Sequence, residues 1–187
     1  MYLIVLLGNY GEKYAATRHN VAWIIGDEVF SPDEYHWKYS KYADADYTEL
    51  SYTDVPLIVA KPRTFMNRSG KTVAHFKKEH TIKNEHIIVV HDDIALGHGE
   101  IKISFNRGSG SHNGVTSVFN HIDGKDCVRV RIGIGHPDPV PMRDYVLMKM
   151  NAAEIDELQS GATKEKAKKI LHSIIRNGHQ QAMNEFN

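Results

Sequence analysis

Cysteine is nearly missing from this chain: Cys127 stands alone among 187 residues. That excludes an internal disulfide and a cysteine-built zinc site, and makes a reducing cytoplasm the expected home. Long apolar runs are missing too. The opening Tyr2-Leu3-Ile4-Val5-Leu6-Leu7 falls far short of the ~20 residues a membrane span needs, and no basic leader precedes it. Net charge is zero, with 23 basic and 23 acidic side chains, so overall charge names no polyanionic partner. There are no repeats, linkers or low-complexity tracts, and residues 1–187 read as one domain. Several cofactor and nucleophile signatures also fail. Gly70-Lys71-Thr72 ends like a P-loop, but Phe65 stands where its first glycine belongs. Gly108-x-Gly110 and Gly133-x-Gly135 have Asn113 and Asp138 where a dinucleotide fingerprint needs glycine or alanine. The 12 histidines include no His-Glu-x-x-His spacing, and no Gly-x-Ser-x-Gly elbow occurs. The expectation is therefore a chain without metal, cofactor or serine nucleophile.

What is present is a real core, with 41% hydrophobic residues, and an uneven charge distribution. Residues 27 to 54 carry eight acids against Lys38 and Lys41, whereas residues 60 to 78 carry Lys61, Arg63, Arg68, Lys71, Lys77 and Lys78 with no acid. A second basic excess, Lys164, Lys166, Lys168, Lys169 and Arg176, lies near the end. Such asymmetry fits either a polyanion-binding face or a solvated helix surface.

Residues 2 to 7 read as a strand buried on both faces, followed by a helix with Val21, Ile24, Ile25 and Val29 on one side. Residues 43 to 52 and Leu57-Ile58-Val59-Ala60, joined at Asp54-Val55-Pro56, suggest a strand pair at one edge of the sheet, closed by Pro62. A helix with Val73, Ala74 and Phe76 inward follows, then a buried strand Ile87-Ile88-Val89-Val90 ending at His91-Asp92-Asp93. Residues 100 to 105 alternate weakly. After Arg107-Gly108-Ser109-Gly110-Ser111 comes a helix with Val115, Val118 and Phe119, then a strand from Val128 to Ile134. The prolines between 137 and 141 mark a loop, and the last 37 residues read as helical with a break near Gly161. This alternation predicts an α/β three-layer sandwich: a mixed, mostly parallel twisted sheet with helices on both faces.

In open α/β sheets the functional crevice lies beyond the carboxyl ends of the strands. Asn9, Asn67 and Asp92 follow strands, and Asn113 opens a helix, so four loops are positioned to share a cleft. His19 is the candidate base, since an imidazole exchanges a proton near neutrality. Asp92 can orient one of its ring nitrogens, although Asp93 qualifies equally by spacing. The asparagines offer neutral donors for a peptide backbone or a developing oxyanion. Each of these residues also has an ordinary reading as a cap or surface group, and singly none decides the matter.

Together the segments resemble the bacterial peptidyl-tRNA hydrolase family. The matching stretches are Gly8-Asn9-x-Gly11, Tyr14-Ala-Ala-Thr-Arg-His19-Asn20, Thr64-Phe65-Met66-Asn67-x-Ser69-Gly70, His91-Asp92-Asp93, Gly110-x-His112-Asn113-Gly114 and Arg129-x-Arg131-Ile-Gly-Ile-Gly135-His136-Pro137. The resemblance covers residues 3 to about 148. It implies a cytoplasmic, metal- and cofactor-independent hydrolase that cleaves the ester joining a peptide, or an N-blocked amino acid, to the 3′ ribose of tRNA. His19 is then the general base and Asp92 its orienting partner. Asn9, Tyr14, Met66, Asn67, His112 and Asn113 bind the substrate, while Asn20, Lys102 and Arg131 contact tRNA. The implied partner is peptidyl-tRNA, with no membrane contact, and a monomer is expected because no apolar stripe is left unassigned.

The chain departs from the family pattern at Tyr10, which replaces a proline, and at Ala95, which replaces an acid. Asn106-Arg107 and Ser111 replace glycine or basic residues, and Ser104 replaces a second lysine on the tRNA side. These changes leave every proposed catalytic residue in place and bear on RNA affinity and the 106–114 loop. The rival expectations are a non-catalytic RNA-binding protein on the same fold and a hydrolase of some other ester or amide. A pure binder has no physical need for a poised histidine and carboxylate.

Overall fold

The computed structural model describes residues 1–52, 54–136 and 138–187. Pro137, at the end of the Arg129–Pro137 motif, lies outside the described residues. The strands are β1 (Tyr2–Leu6), β2 (Lys38–Ser40), β3 (Ala45–Tyr52), β4 (Val55–Pro62), β5 (Ile87–Asp93), β6 (Ile101–Phe105) and β7 (Val128–Gly133). Among the described residues they form one sheet in the order β2-β3-β4-β1-β5-β7-β6. The four central strands run parallel, and the edges β2, β3 and β6 are antiparallel to their neighbours, which gives the expected mixed sheet. The helices are α1 (Val21–Val29), α2 (Gly70–Glu79), α3 (Asn113–Ile122), α4 (Met142–Tyr145), α5 (Ala152–Leu158), α6 (Gly161–Asn177) and α7 (His179–Phe186).

Strand alternation divides the apolar residues between two cores. Ile4, Leu6, Ile88, Val90, Val130 and Ile132 face α1 and α6, with Val21, Ile25, Ile170 and Ile174 opposite them. Leu3, Val5, Leu7, Ile87 and Val89 face α2 and α3, meeting Val73, Phe76, Val115 and Val118. The continuous apolar runs of β1 and β5 follow from burial on both faces.

One expectation changes in detail. Ala74 is only half-buried; Thr72 takes the inward place on α2, its hydroxyl donating to the Ala43 carbonyl at 2.8 Å. The break expected near Gly161 lies between Leu158 and Gly161, where α6 opens, capped by Ser160, whose hydroxyl accepts from Thr163 N at 3.2 Å. The later break falls at Gly178, where a φ of 83° suits only glycine without strain. Among the described residues no helix is long and apolar enough to cross a membrane.

Candidate active site

The carboxyl ends of β1, β4 and β5 and the start of α3 meet around Asp92, which β5 delivers nearly buried, at 3% exposure. His19 arrives from a short 3₁₀ turn, Arg18–Asn20, that precedes α1. Its Nδ1 lies 2.8 Å from Asp92 Oδ1. A carboxylate accepts, so Nδ1 carries the hydrogen and Nε2 keeps a lone pair toward the cleft. Asp93, equal to Asp92 by spacing, points elsewhere and accepts from Arg131 Nε at 2.7 Å.

His112 makes a second contact, Nε2 to the same Asp92 oxygen at 2.8 Å. Its Nδ1 accepts from the backbone of Gly114 at 3.1 Å and of Val115 at 3.3 Å, so His112 is the N-cap of α3. Nδ1 thus faces two backbone N–H donors while Nε2 donates to Asp92. His91 completes the group: its Nδ1 donates to the Asp92 carbonyl at 2.7 Å, and its Nε2 faces Arg129 Nη1 at 3.4 Å. The His112 ring lies 4.9 Å from that of His19 and 4.8 Å from that of His91. Burial works to raise the Asp92 carboxyl, but the imidazoles of His112 and His19 outweigh it and hold the group well below the usual carboxylate range. Burial, then the neighbouring His112 and Arg129, lowers His91 well below an ordinary imidazole.

The asparagines divide by burial. Asn9 is buried, its backbone N–H donating to Asn20 Oδ1 and its carbonyl accepting from Asn20 Nδ2, both at 2.9 Å. Met66 N donates to Asn9 Oδ1 at 2.9 Å, so the Asn9 amide nitrogen is the group left for a ligand. Asn67, on the Met66–Arg68 turn, and Asn113, the first residue of α3, are exposed. Neither is a cap: His112 does that work on α3, and α2 starts at Ser69 with no side-chain cap bond. Gly114 brings the turns together, because a Cβ there would stand 2.5 Å from Met66 Sδ and 2.9 Å from Leu7 Cδ1. Tyr14 is half-buried on the Glu12–Tyr14 turn with Lys13 Nζ 4.8 Å from its ring centre, and is not hydrogen-bonded to the cluster through its side chain.

Asn20, expected on the tRNA side, lies beneath the Asn9 loop. Asn20 is fully buried and both ends of its amide are occupied by the Asn9 backbone, so it shapes the Asn9 loop from behind. Lys102 and Arg131 are register neighbours across β6 and β7. Lys102 Nζ donates to the Asn187 carbonyl at 2.9 Å. Arg129 lies behind them, 5% exposed, with no carboxylate in ion-pair range among the described residues. Ser104, its register partner, has a buried hydroxyl without a hydrogen-bond partner.

Sequence reading missed two supports. His91 and Arg129 stood inside quoted motifs without a role, the only signal being their neighbours. Arg18 is the other: it joins Glu154 at 2.6 Å and the Lys149 carbonyl at 3.0 Å and lies over the Tyr145 ring. With His19 N donating to the Val146 carbonyl at 2.8 Å, this ties the His19 turn to the chain after α4. His19, Asp92 and His112 also offer three donor atoms within 4.8 Å of one another. In the present arrangement those atoms bond to each other, and a cation would have to displace both hydrogens from Asp92 Oδ1.

Fold and cleft define a class: an α/β sandwich whose strand ends hold a carboxylate-backed histidine beside a set of amides. The chain matches the peptidyl-tRNA hydrolase family over residues 3–187. It is 36% identical to the peptidyl-tRNA hydrolase of Oceanobacillus iheyensis over 189 residues, covering 100% of both chains. It is 40% identical to that of Aliarcobacter butzleri over 160 residues, 85% of each. The crystal structure of the Acinetobacter baumannii peptidyl-tRNA hydrolase superposes with a TM-score of 0.84 at 32% identity, covering 100% of this chain and 94% of that one. The chain belongs to the peptidyl-tRNA hydrolase family, a family of hydrolases.

Proposed function

We propose that this protein hydrolyses the ester between a peptide, or an N-blocked amino acid, and the 3′ ribose of tRNA. The observation that carries the mechanism is the 2.8 Å contact between His19 Nδ1 and Asp92, which leaves Nε2 as a base facing an amide-lined cleft. Water held by Nε2 attacks the ester carbonyl carbon as its proton passes to the imidazole. The imidazolium is balanced by Asp92, which His112 keeps in place from the other side. The oxyanion of the tetrahedral intermediate is met by side-chain amides of Asn67 or Asn113, while Asn9 Nδ2 holds the peptide backbone. Collapse breaks the carbon–oxygen bond to the ribose, whose oxygen recovers the proton from His19. No step requires a metal or cofactor. Lys102 and Arg131 form the side that receives tRNA phosphates. The protein acts as a monomer in the cytoplasm; the free, buried thiol of Cys127 supports the compartment.

The test is release of labelled N-acetyl-amino acid from its tRNA, with EDTA present throughout. Wild type releases it, and His19→Ala loses about 10² to 10⁴ in rate while still binding tRNA. Equal turnover by His19→Ala would sink the mechanism, and loss of wild-type turnover on adding EDTA would overturn metal independence.

A further inference from the structure

On the side of the cleft away from β7 and β6, the sheet carries aromatic rings rather than free cations. Tyr10, next to Asn9 in the chain, and Tyr39, on edge strand β2, both stack on Arg63, whose guanidinium carbon lies 4.8 Å from the first ring centre and 4.5 Å from the second. Arg63 is also bidentate to Asp46, at 2.8 and 2.7 Å, so its charge is already neutralised and its planar faces are what it offers. The rings stay open: Tyr10 is 47% exposed, Tyr39 51%, and Phe65 beside them in sequence to Met66 is 60% exposed. Large exposed apolar side chains gathered at one place mark a binding surface more often than scattered ones do. This row begins at the cleft itself, since Asn9 and Met66 are bonded to each other.

We propose that Tyr10, Arg63 and Tyr39 form a subsite for the peptide part of the substrate, taking apolar or aromatic side chains two or more residues upstream of the ester. The assignment rests on the hydrolase reading above. An ester cut at His19 has RNA on one side and peptide on the other. On that reading the phosphates go to Lys102 and Arg131, beyond β5, so the peptide leaves across β4 toward β2. Tyr10 stands where the family pattern has proline, so the ring nearest the cleft is this chain's own.

The experiment compares kcat/KM for N-acetyl-phenylalanyl-tRNA and for a tetrapeptidyl-tRNA rich in Leu and Phe, with wild type, Tyr39→Ala and Tyr39→Phe. Tyr39 is exposed and remote from His19, so both variants fold. The expected result is a fall of roughly fivefold in the long-to-short ratio for Tyr39→Ala, carried by KM, the size of one stacked ring. Tyr39→Phe, which keeps the ring and loses only its 3.1 Å bond to Asp44, restores the ratio. An unchanged ratio in Tyr39→Ala overturns the subsite, as does an equal loss of affinity for deacylated tRNA, which would make the surface an RNA contact. Failure of wild type to turn over either substrate defeats the hydrolase reading, and this one with it.

Discussion

Asp92 organises three imidazoles, and its environment makes the site sensitive to acid. Its folded carboxyl lies below the unfolded value, so the stability it contributes is present above about pH 4 and is lost as pH falls further. His91 acts earlier. Its folded pKa is also lowered, so in acid the unfolded chain binds a proton that the folded one refuses, and stability declines below about pH 6.5. We expect urea unfolding at pH 7, 6 and 5 to give falling midpoints. His91→Asn, which retains a donor but does not titrate, should flatten that slope. It leaves the share due to His86, which burial also lowers. A wild-type slope in His91→Asn would assign the titration to another group. Asp92→Asn separates charge from geometry: it keeps an acceptor for both rings and removes the negative charge. A drop of at least a hundredfold in kcat with KM little changed is expected from steady-state kinetics. Cys127, fully buried and with its thiol pushed by burial up to about 12, should resist iodoacetamide in the native protein and react on unfolding, as mass spectrometry would record.

At the level of elements, the cleft depends on how closely α2 approaches α3. A Cβ on Gly70 would lie 2.1 Å from the Ser117 carbonyl oxygen, and Gly70 N donates to Ser117 Oγ at 3.0 Å. Gly70→Ala must push the helices apart, carrying the Met66–Arg68 turn with Asn67 away from Asn113. The cost is about 1 to 3 kcal/mol of stability, readable from chemical denaturation, together with a lower kcat/KM. The loop before α3 shows the opposite case. Ser111 holds a φ of 63°, in the left-handed region where a Cβ is strained, and Asn106 holds 52°, which asparagine tolerates better. Ser111→Gly relieves that strain and gives back part of it as unfolded-chain entropy. A net gain of up to about 1 kcal/mol is expected, and a loss would show that the serine side chain is itself needed.

Across the whole molecule, zero net charge hides a sheet with two different ends. Arg129, Arg131 and Lys102 gather at the β7–β6 end, with Asp93 beside Arg131 and Glu100 beside Lys102, while the arginine and lysine at the end of β4 are paired with Asp46 and Asp27. Arg131→Gln should therefore weaken tRNA binding several-fold and lower the slope of log affinity against log salt by about 1, in filter binding across a salt series. An unchanged slope would remove Arg131 from the RNA face.

The α/β sandwich was legible because its signal is local: apolar runs of strand length alternate with helical periodicity, and burial on both faces makes residues 3–7 of β1 and its end and residues 87–90 of β5 unbroken apolar runs. The short edge strand β2 was not legible, since three largely exposed residues, Lys38, Tyr39 and Ser40, carry no alternation to read. The motifs supplied the cast of the cleft, and with it the family. Only the tertiary structure chose between Asp92 and Asp93, because adjacent residues on a strand point to opposite faces and spacing cannot say which one meets His19. It also set Asn20 as a buried brace behind Asn9, made His112 a cap of α3 and a donor to Asp92 at once, and set Tyr10 on Arg63. These contacts join residues 11 to 73 positions apart, and no local pattern encodes them. Chain chemistry thus determined which groups are available and in which elements. Packing determined which nitrogen carries a hydrogen, which amide is free, and which ring faces water.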